Sequence, residues 1–240
     1  MTNKGKFIVV EGSDGVGKKT QANLLIKMFR RLGRRVSFYD FPQYERSFFG
    51  DMVGQYLNGE FGDVGDVDPR LISLLYAGDR FEASDHIRHD LKRGMIVISN
   101  RYTQSNMAFQ SAKIKNREKR DEFLEWLEEL EFGVFNIPKP DLIIYLYLPY
   151  EISQKMVDKK KARSYTNKKR DIHERNEEFL AKVQEEYLRL AKEEGNWTMI
   201  DCRDNDGSVL VPKKITEKIF DVISKRYTKE ELRQLKLLEK

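Results

Sequence analysis

A glycine-rich segment directly after a short apolar run is the feature that most constrains the fold of this chain. Residues 7–10 read FIVV, a pattern typical of a fully buried strand. Residues 12–18 read GSDGVGK, which has the spacing G-x-x-x-x-G-K, and a helical pattern follows. A strand, a loop and a helix start in this order can surround a phosphate group with backbone N–H groups. The alternative, a plain glycine-rich turn, is disfavoured by the full spacing and by the flanking patterns.

Strand-like and helical patterns alternate through the rest of the chain. This alternation predicts an α/β fold, a parallel five-stranded sheet flanked by helices on both faces. In such sheets ligands bind at the carboxyl ends of the strands, so the residues that follow each strand are the first candidates for a site. The predicted strands are 7–10, 36–41, 95–99, 142–148 and 197–200; the predicted helices follow the loop and cover 47–57, 70–92, 103–112, 117–131, a long segment around 179–190 opened by residues 171–175, and 212–226.

Size, charge and cysteine content limit the class of protein. A chain of 240 residues fits one large domain, which we place at 1–227, followed by a charged extension at 228–240. No apolar run approaches the ~18 residues that a membrane span needs. The single cysteine, Cys202, excludes an intrachain disulfide and a cysteine-based zinc site, and we expect a cytoplasmic protein. The net charge of +5 suits phosphorylated small molecules as well as nucleic acid.

Four further blocks narrow the choice. Residues 41–44 read FPQY after the second strand, 76–80 read YAGDR in a helix, and 100–102 read NRY at the end of the third strand. The segment 105–113 reads SNMAFQSAK. With the glycine-rich loop, and in this order and spacing, these blocks make the chain similar to the thymidylate kinase family over residues 6–200.

The resemblance implies an activity, cofactors and partners. It implies a P-loop nucleoside monophosphate kinase with a short lid, which transfers the γ-phosphate of ATP to dTMP in the presence of Mg²⁺. It implies a homodimer with small-molecule substrates and with neither nucleic acid nor a membrane as partner. The dTMP phosphate is already anionic at neutral pH, so this chemistry requires no strong general base. Two alternatives remain: a kinase for another nucleotide, and a nucleotide-binding regulator with impaired catalysis.

The resemblance also implies roles for individual residues. Tyr76 stands where an aromatic ring stacks on thymine, while Arg80 and Asn106 stand where polar groups read the base edge. Lys18 and Arg101 match the cations that act on the phosphates and are the expected catalytic residues, with Arg163 of the lid. The implied ATP-binding residues are Gly12, Ser13, Asp14, Gly15, Val16, Gly17, Lys18, Lys19 and Thr20. The implied dTMP-binding residues are Asp14, Phe41, Tyr44, Tyr76, Arg80, Asn100, Arg101, Asn106 and Phe109.

A basic segment precedes the long helix. Residues 159–170 read KKKARSYTNKKR, with seven Lys or Arg and no acid. It could be a lid, a solvated loop, a nucleic-acid patch or a segment attracted to a membrane surface. The resemblance favours a lid that brings a cation to the γ-phosphate, with Arg163 as the expected group and Lys161 and Arg170 as rivals. Glu174 then stands where an acid approaches the metal, although an exposed acid at a helix start would look the same.

Two residues depart from the family pattern. Lys19 replaces the hydroxyl residue that binds Mg²⁺ after the loop lysine, and Asn100 replaces an aspartate. A cation beside Mg²⁺ is repelled, so we expect Lys19 to turn toward phosphate oxygens or an acid.

The dimer that the resemblance implies would pair the helix at 70–92 and the helix that starts near Thr103. Leu71, Leu74 and Leu75 supply apolar area on the first of these helices. His86 and His89 lie on the same helix among many charges, and we expect both to be surface residues.

Overall fold

Five parallel strands form one sheet in the order β2-β3-β1-β4-β5. The computed structural model describes residues 5–157, 172–173, 176–193 and 195–227. The glycine-rich loop follows β1, the central strand, whose residue Val9 pairs with Ser99 of β3 and Ile143 of β4. The predicted fold class is therefore confirmed. The strands are β1 (Lys6–Gly12), β2 (Val36–Asp40), β3 (Ile96–Asn100), β4 (Leu142–Tyr147) and β5 (Trp197–Asp201).

Helices cover both faces because alternate strand residues point to opposite sides. Phe7 and Val9 of β1 join one buried cluster, and Ile8 and Val10 join the other. α1 and α8 contribute to the second cluster, and α2, α3, α4, α5 and α7 contribute to the first. The helices are α1 (Lys18–Arg31), α2 (Phe48–Asn58), α3 (Pro69–Lys92), α4 (Thr103–Ser111), α5 (Arg117–Glu128), α6 (Tyr150–Val157), α7 (Glu177–Glu193) and α8 (Pro212–Arg226).

The structure differs from the predicted elements in three places. No sequence pattern predicted α6. The predicted helix 117–131 ends as an α-helix at Glu128, and a π-helical turn (Glu129–Val134) follows. The predicted opening of the long helix at 171–175 is wrong where the structure describes it, because residues 172–173 form a turn. α7 begins at Glu177, where the side chain of Asn176 accepts a hydrogen bond from Phe179 N at 2.9 Å.

α4 is not a surface helix. Every residue of α4 except Ser105 is buried within the monomer. The expectation that this helix supplies part of a dimer surface is therefore wrong, because α3, α5 and α7 already cover it. His86 and His89 on α3 are exposed, as expected. None of the helices in the described residues combines the length and the apolarity that a bilayer crossing demands.

Candidate active site

The glycine-rich loop has positive φ values at its glycines, and at two of them it also passes close to other backbone atoms. Gly12 and Gly15 have φ values of 142° and 89°. A Cβ at Gly12 would lie 2.5 Å from the carbonyl oxygen of Leu146, and one at Gly15 would lie 2.2 Å from that of Ser153. These close approaches seat the loop on β4 and α6. The loop residues at these points are therefore fixed by backbone geometry rather than by side-chain chemistry.

The lysine at the end of this loop folds back over it. The Nζ of Lys18 donates to the carbonyl oxygen of Ser13 at 2.8 Å and lies 3.6 Å from Asp14 Oδ1. No acidic side chain lies in the described first turn of α1, so the positive end of its dipole is not neutralised there. The buried ammonium group of Lys18 thus lies next to the start of α1, whose first turn carries no acidic side chain. This arrangement binds phosphate.

A cavity opens beside the loop, at the carboxyl ends of the strands, and its lining combines aromatic rings with a few charged and polar side chains. That combination is typical of a small-molecule site. Eight of the nine residues predicted to bind the acceptor nucleotide line it; the exception is Asn100. Lining residues that the sequence did not single out are Pro42, Leu57, Tyr102, Ser105, Gln110 and His173.

The carboxylate of Glu11, at the end of β1, organises the phosphate side of this cavity. It is fully buried and accepts hydrogen bonds from Tyr102 N (2.8 Å), Ser105 N (3.2 Å), Ser105 Oγ (2.8 Å) and Tyr187 Oη (2.9 Å). A buried carboxylate with four donors is fully satisfied and fixes the start of α4 against β1. Sequence reasoning missed this residue because an acid at a strand end carries no local signal of burial.

Arg101 lies beside this network and points toward the loop. Its φ is 65°, an uncommon conformation for a residue other than glycine. Its Nη2 donates to Asp14 Oδ1 at 2.7 Å and its Nη1 to Ser105 Oγ at 2.9 Å, while the guanidinium lies 5.3 Å from the Phe109 ring centre. Burial alone would lower the pKa of Arg101, but the attraction of Asp14 holds it well above its ordinary value. A permanent cation is thus positioned between the loop and the cavity.

Arg80 and Asn106 both line the cavity and share one buried partner. Arg80 makes two hydrogen bonds with the fully buried carboxylate of Glu131, one of them from Nε at 2.8 Å. Asn106 donates from Nδ2 to Glu131 Oε1 at 3.3 Å and to Ser73 O at 3.2 Å. Burial lowers the pKa of Arg80, yet the nearby carboxylate more than offsets this effect and raises it overall. The sequence did not indicate Glu131, which the π-helical turn brings inward.

Asp79, next to Arg80 on α3, holds the segment that closes one wall of the cavity. Its carboxylate accepts from Gln43 N at 3.0 Å and from Ser47 Oγ at 2.6 Å. Burial raises the pKa of Asp79, and these hydrogen bonds work against that rise. They fix the segment that contains Phe41, whose peptide bond to Pro42 is cis.

His173 lies against the cavity although the sequence did not mark it. Its ring stacks on Phe109 with centres 5.3 Å apart, and its Nε2 lies 3.1 Å from Tyr56 Oη. Lys113 donates to the same tyrosine oxygen at 2.7 Å. Burial lowers the pKa of His173 to about 3, and the Lys113 charge acts in the same direction. The imidazole is therefore neutral at physiological pH and serves as a flat, polar wall.

Lys19 turns toward an acid, as expected. Its Nζ lies 2.8 Å from Asp40 Oδ2, while Asn100 Nδ2 donates to Asp40 Oδ1 at 2.6 Å. The two residues that depart from the family pattern therefore meet on one carboxylate at the end of β2. Asn100 faces Asp40 and does not line the cavity.

The structure describes only part of the predicted metal and lid residues. Arg163, Glu174 and the whole segment 159–170 lie outside the described residues. Thr20 is described and is exposed on α1. Among the residues that the structure does describe, no group of three or more His, Cys, Asp and Glu side chains is arranged to hold a metal ion.

The chain is similar to known proteins that share one name. A family model described as thymidylate kinase matches residues 10–210. A thymidylate kinase of Mycobacterium tuberculosis is 31% identical over 204 residues, covering 84% of this chain and 94% of that protein. A probable thymidylate kinase of Thermococcus onnurineus is 37% identical over 194 residues, covering 78% and 84%. The solved structure of a thymidylate kinase from Candida albicans shares the fold, with a TM-score of 0.71, 23% identity and coverage of 93% of this chain and 92% of that one.

The buried imidazole should make stability depend on pH. Because His173 has a pKa of about 3 in the folded protein and about 6.5 when unfolded, only the unfolded chain takes up its proton between these values. The free energy of unfolding should therefore fall with decreasing pH below 6.5, with a His173 contribution of up to ~1.4 kcal/mol per pH unit. His173→Gln should remove this contribution in urea unfolding at pH 7, 6 and 5. His86→Gln, which removes an exposed imidazole, is the control; equal pH slopes in the two variants would contradict the assignment.

Proposed function

Because the chain belongs to the thymidylate kinase family, we propose that the cavity lined by Tyr76, Arg80 and Arg101 binds dTMP and that the loop at 12–17 holds ATP. The protein is an ATP-dependent nucleoside monophosphate kinase, and its reaction converts ATP and dTMP to ADP and dTDP. The site assignment rests on one observation: residues predicted from separate segments of the chain line a single cavity that adjoins the phosphate-binding loop.

Different groups in the cavity suit the phosphate and the base of dTMP. Arg101, held by Asp14 and Ser105 next to the loop, meets the acceptor phosphate. Arg80 and Asn106 meet the base edge, and Tyr76 stacks on the ring. Asp14 contacts the 3′-hydroxyl, and Phe109 packs under the deoxyribose. Phe41 and Tyr44 close the wall that Asp79 orders.

Phosphoryl transfer needs positioning and charge neutralisation more than covalent chemistry. Lys18 supplies one charge to the donor phosphates, and Arg101 supplies another to the acceptor phosphate. The remaining members of the loop, from Gly12 to Thr20, bind ATP through their backbone N–H groups and side chains. Arg163 stays our candidate for the lid cation and Glu174 for a metal-side acid, on the sequence alone.

We propose Mg²⁺ as the metal, held mainly by the phosphates. Oxygen donors suit this hard cation, and Asp40 and Asn100, at the carboxyl ends of β2 and β3, offer candidate oxygens. Asn100 Oδ1 is buried and accepts no hydrogen bond within the described residues, so it is available as a donor atom. A bound Mg²⁺ would neutralise negative charge on the β- and γ-phosphates.

We further propose that residues 1–227 form the kinase domain, with 228–240 as an extension, and that the protein acts in the cytoplasm without nucleic-acid or membrane partners. Support for the location comes from Cys202, which is a buried free thiol.

The assignment is tested by a substrate panel. ATP consumption is measured with dTMP, dUMP, dCMP, dGMP and GMP as acceptors, and dTMP should give the highest kcat/KM. A higher value for dCMP or a purine nucleotide would identify a kinase for another nucleotide. No turnover with any acceptor, together with tight nucleotide binding, would identify a regulator.

Replacing Lys18 should separate catalysis from folding. Lys18→Ala removes the charge that neutralises the donor phosphates, and we expect kcat to fall by about two or more orders of magnitude. Circular dichroism and the unfolding midpoint check that the fold survives. Near-normal turnover in folded Lys18→Ala would exclude this loop as the catalytic phosphate site.

Replacing Lys19 should strengthen the response to Mg²⁺. Lys19→Thr removes a positive charge, frees Asp40 and adds a hydroxyl next to the loop. The Mg²⁺ concentration for half-maximal rate should fall roughly fivefold, which corresponds to the ~1 kcal/mol of repulsion between unit charges 4 Å apart in water. Turnover should persist. Lys27→Thr, at an exposed lysine of the same helix, is the control; an unchanged or weaker Mg²⁺ response in Lys19→Thr would show that Lys19 does not perturb the metal.

We propose a homodimer that forms through α3. Leu71 is 61% exposed, and Leu74 and Phe81 extend the same face at helical spacing. Light scattering at micromolar concentration should give twice the monomer mass. Leu71→Glu combined with Leu74→Glu should give monomers, whereas Leu32→Glu, at an exposed leucine that follows α1, should not. A monomeric native protein would refute the proposal.

A further inference from the structure

The orientation of one amide group in the cavity is determined by its neighbours. Nδ2 of Asn106 faces the carbonyl oxygen of Ser73 and Oε1 of Glu131, which both only accept hydrogen bonds. A flipped amide would place its oxygen against two other oxygens, so the observed orientation is strongly favoured. Asn106 is nearly fully buried, and its Oδ1 has no hydrogen-bond partner within the described residues. The atom that remains for a ligand is therefore an acceptor.

The neighbouring guanidinium is fixed by the same carboxylate. Glu131 accepts from both Nε and Nη2 of Arg80, and Tyr102 O lies 3.5 Å from Nη1. Arg80 can only donate hydrogen bonds. Glu131 thus holds a donor and an acceptor side by side at one end of the cavity, and it contacts both directly.

We propose that Glu131 is a positioning residue for base selection: it fixes Arg80 as a donor and Asn106 as an acceptor, and thereby selects pyrimidine bases with a carbonyl at C4 and a proton on N3. This inference rests on the proposed binding of dTMP in this cavity. It adds to that proposal the residue that sets the donor and acceptor pattern.

The chemistry of the two pyrimidine types gives the selection. Thymine and uracil present O4, an acceptor, beside N3–H, a donor, which complements Arg80 and Asn106 Oδ1. Cytosine presents a 4-amino donor beside an unprotonated N3 acceptor. It would place its amino group against the guanidinium and its N3 lone pair against the amide oxygen. Sites that pair buried polar groups in this way reject the wrong partner because those groups are left unsatisfied.

The test variant is Glu131→Gln. Glutamine offers one acceptor oxygen where glutamate offers two, so it cannot satisfy Arg80 Nε, Arg80 Nη2 and Asn106 Nδ2 together. At least one of the two base-reading side chains then loses its fixed orientation. We expect the ratio of kcat/KM for dTMP to that for dCMP to fall about tenfold or more, through a higher KM for dTMP with kcat at saturation little changed. The ratio of dTMP to dUMP should not change, since thymine and uracil share this edge.

Glu186→Gln is the matched control. Glu186 is also buried and paired with arginines, namely Arg120 and Arg189, but it lies outside the cavity. Its loss should lower the melting temperature without changing either substrate ratio. If Glu131 served stability alone, Glu131→Gln would behave like Glu186→Gln.

A second variant covers the case in which Glu131→Gln does not fold. Glu131→Asp keeps the negative charge that Arg80 needs but shortens the side chain, so the carboxylate withdraws from Asn106. The dTMP to dCMP ratio should fall in this variant as well. A ratio equal to that of the native protein in the folded variant overturns the role of Glu131 and leaves the thymidylate kinase assignment intact. A native protein that does not prefer dTMP to dCMP would instead overturn the proposed binding mode.

Discussion

The satisfied, buried carboxylate of Glu11 is the interaction on which the geometry of the site depends. Glu11 lies next to the last residue of the central strand β1, at the carboxyl end of the sheet where the phosphate loop begins. It accepts hydrogen bonds from the start of α4 and from Tyr187 of α7. An unpaired carboxylate at this depth would be strongly destabilising, so the folded state needs all four hydrogen bonds to keep Glu11 buried. Ser105, which the acid holds, in turn accepts from Arg101 and sets the position of its guanidinium group. The sheet, α4, α7 and the Arg101 guanidinium are therefore coupled through one carboxylate.

Buried carboxylates also hold side chains and backbone in place in other parts of the cavity. Asp79 fixes the segment of Phe41 through Gln43 and Ser47, and Glu131 fixes Arg80 and Asn106. Each acid is buried and hydrogen-bonded. A network of this kind is rigid because a small displacement would leave a charged group unsatisfied. Rigid side chains at a base edge are what selection by hydrogen bonding requires.

The charge distribution near the phosphate loop departs from the family pattern in a coordinated way. Lys19 stands in place of a hydroxyl residue, and Asn100 stands in place of an aspartate and so lacks its negative charge. Both contact Asp40, whose carboxylate lies at the end of the neighbouring strand. The pairing turns the Lys19 ammonium toward an acid, which reduces the repulsion that an unpaired cation would exert on a metal ion. Each substitution alone would suggest impaired catalysis. Together they form a rearranged set of polar partners around the Asp40 carboxylate.

The sequence by itself determined the succession of strands and helices apart from α6, and the phosphate loop, because both follow from local hydrophobic patterns and from motifs within a few residues. The resemblance to a known family supplied most of the predicted residues that line the cavity. The sequence could not indicate Glu11, Glu131 or His173, because an acid or a histidine shows its burial only through partners that are distant in the chain. Glu131 meets Arg80 across 51 residues, and Glu11 meets Tyr187 across 176. The sequence also suggested α4 as a dimer surface, and only the packing of α3, α5 and α7 around it decided that it belongs to the core. Local patterns thus specify which side chains the chain brings to the site. Tertiary contacts decide which of their atoms remain available to a ligand, because the hydrogen-bond partners of buried groups are set only when distant segments pack together.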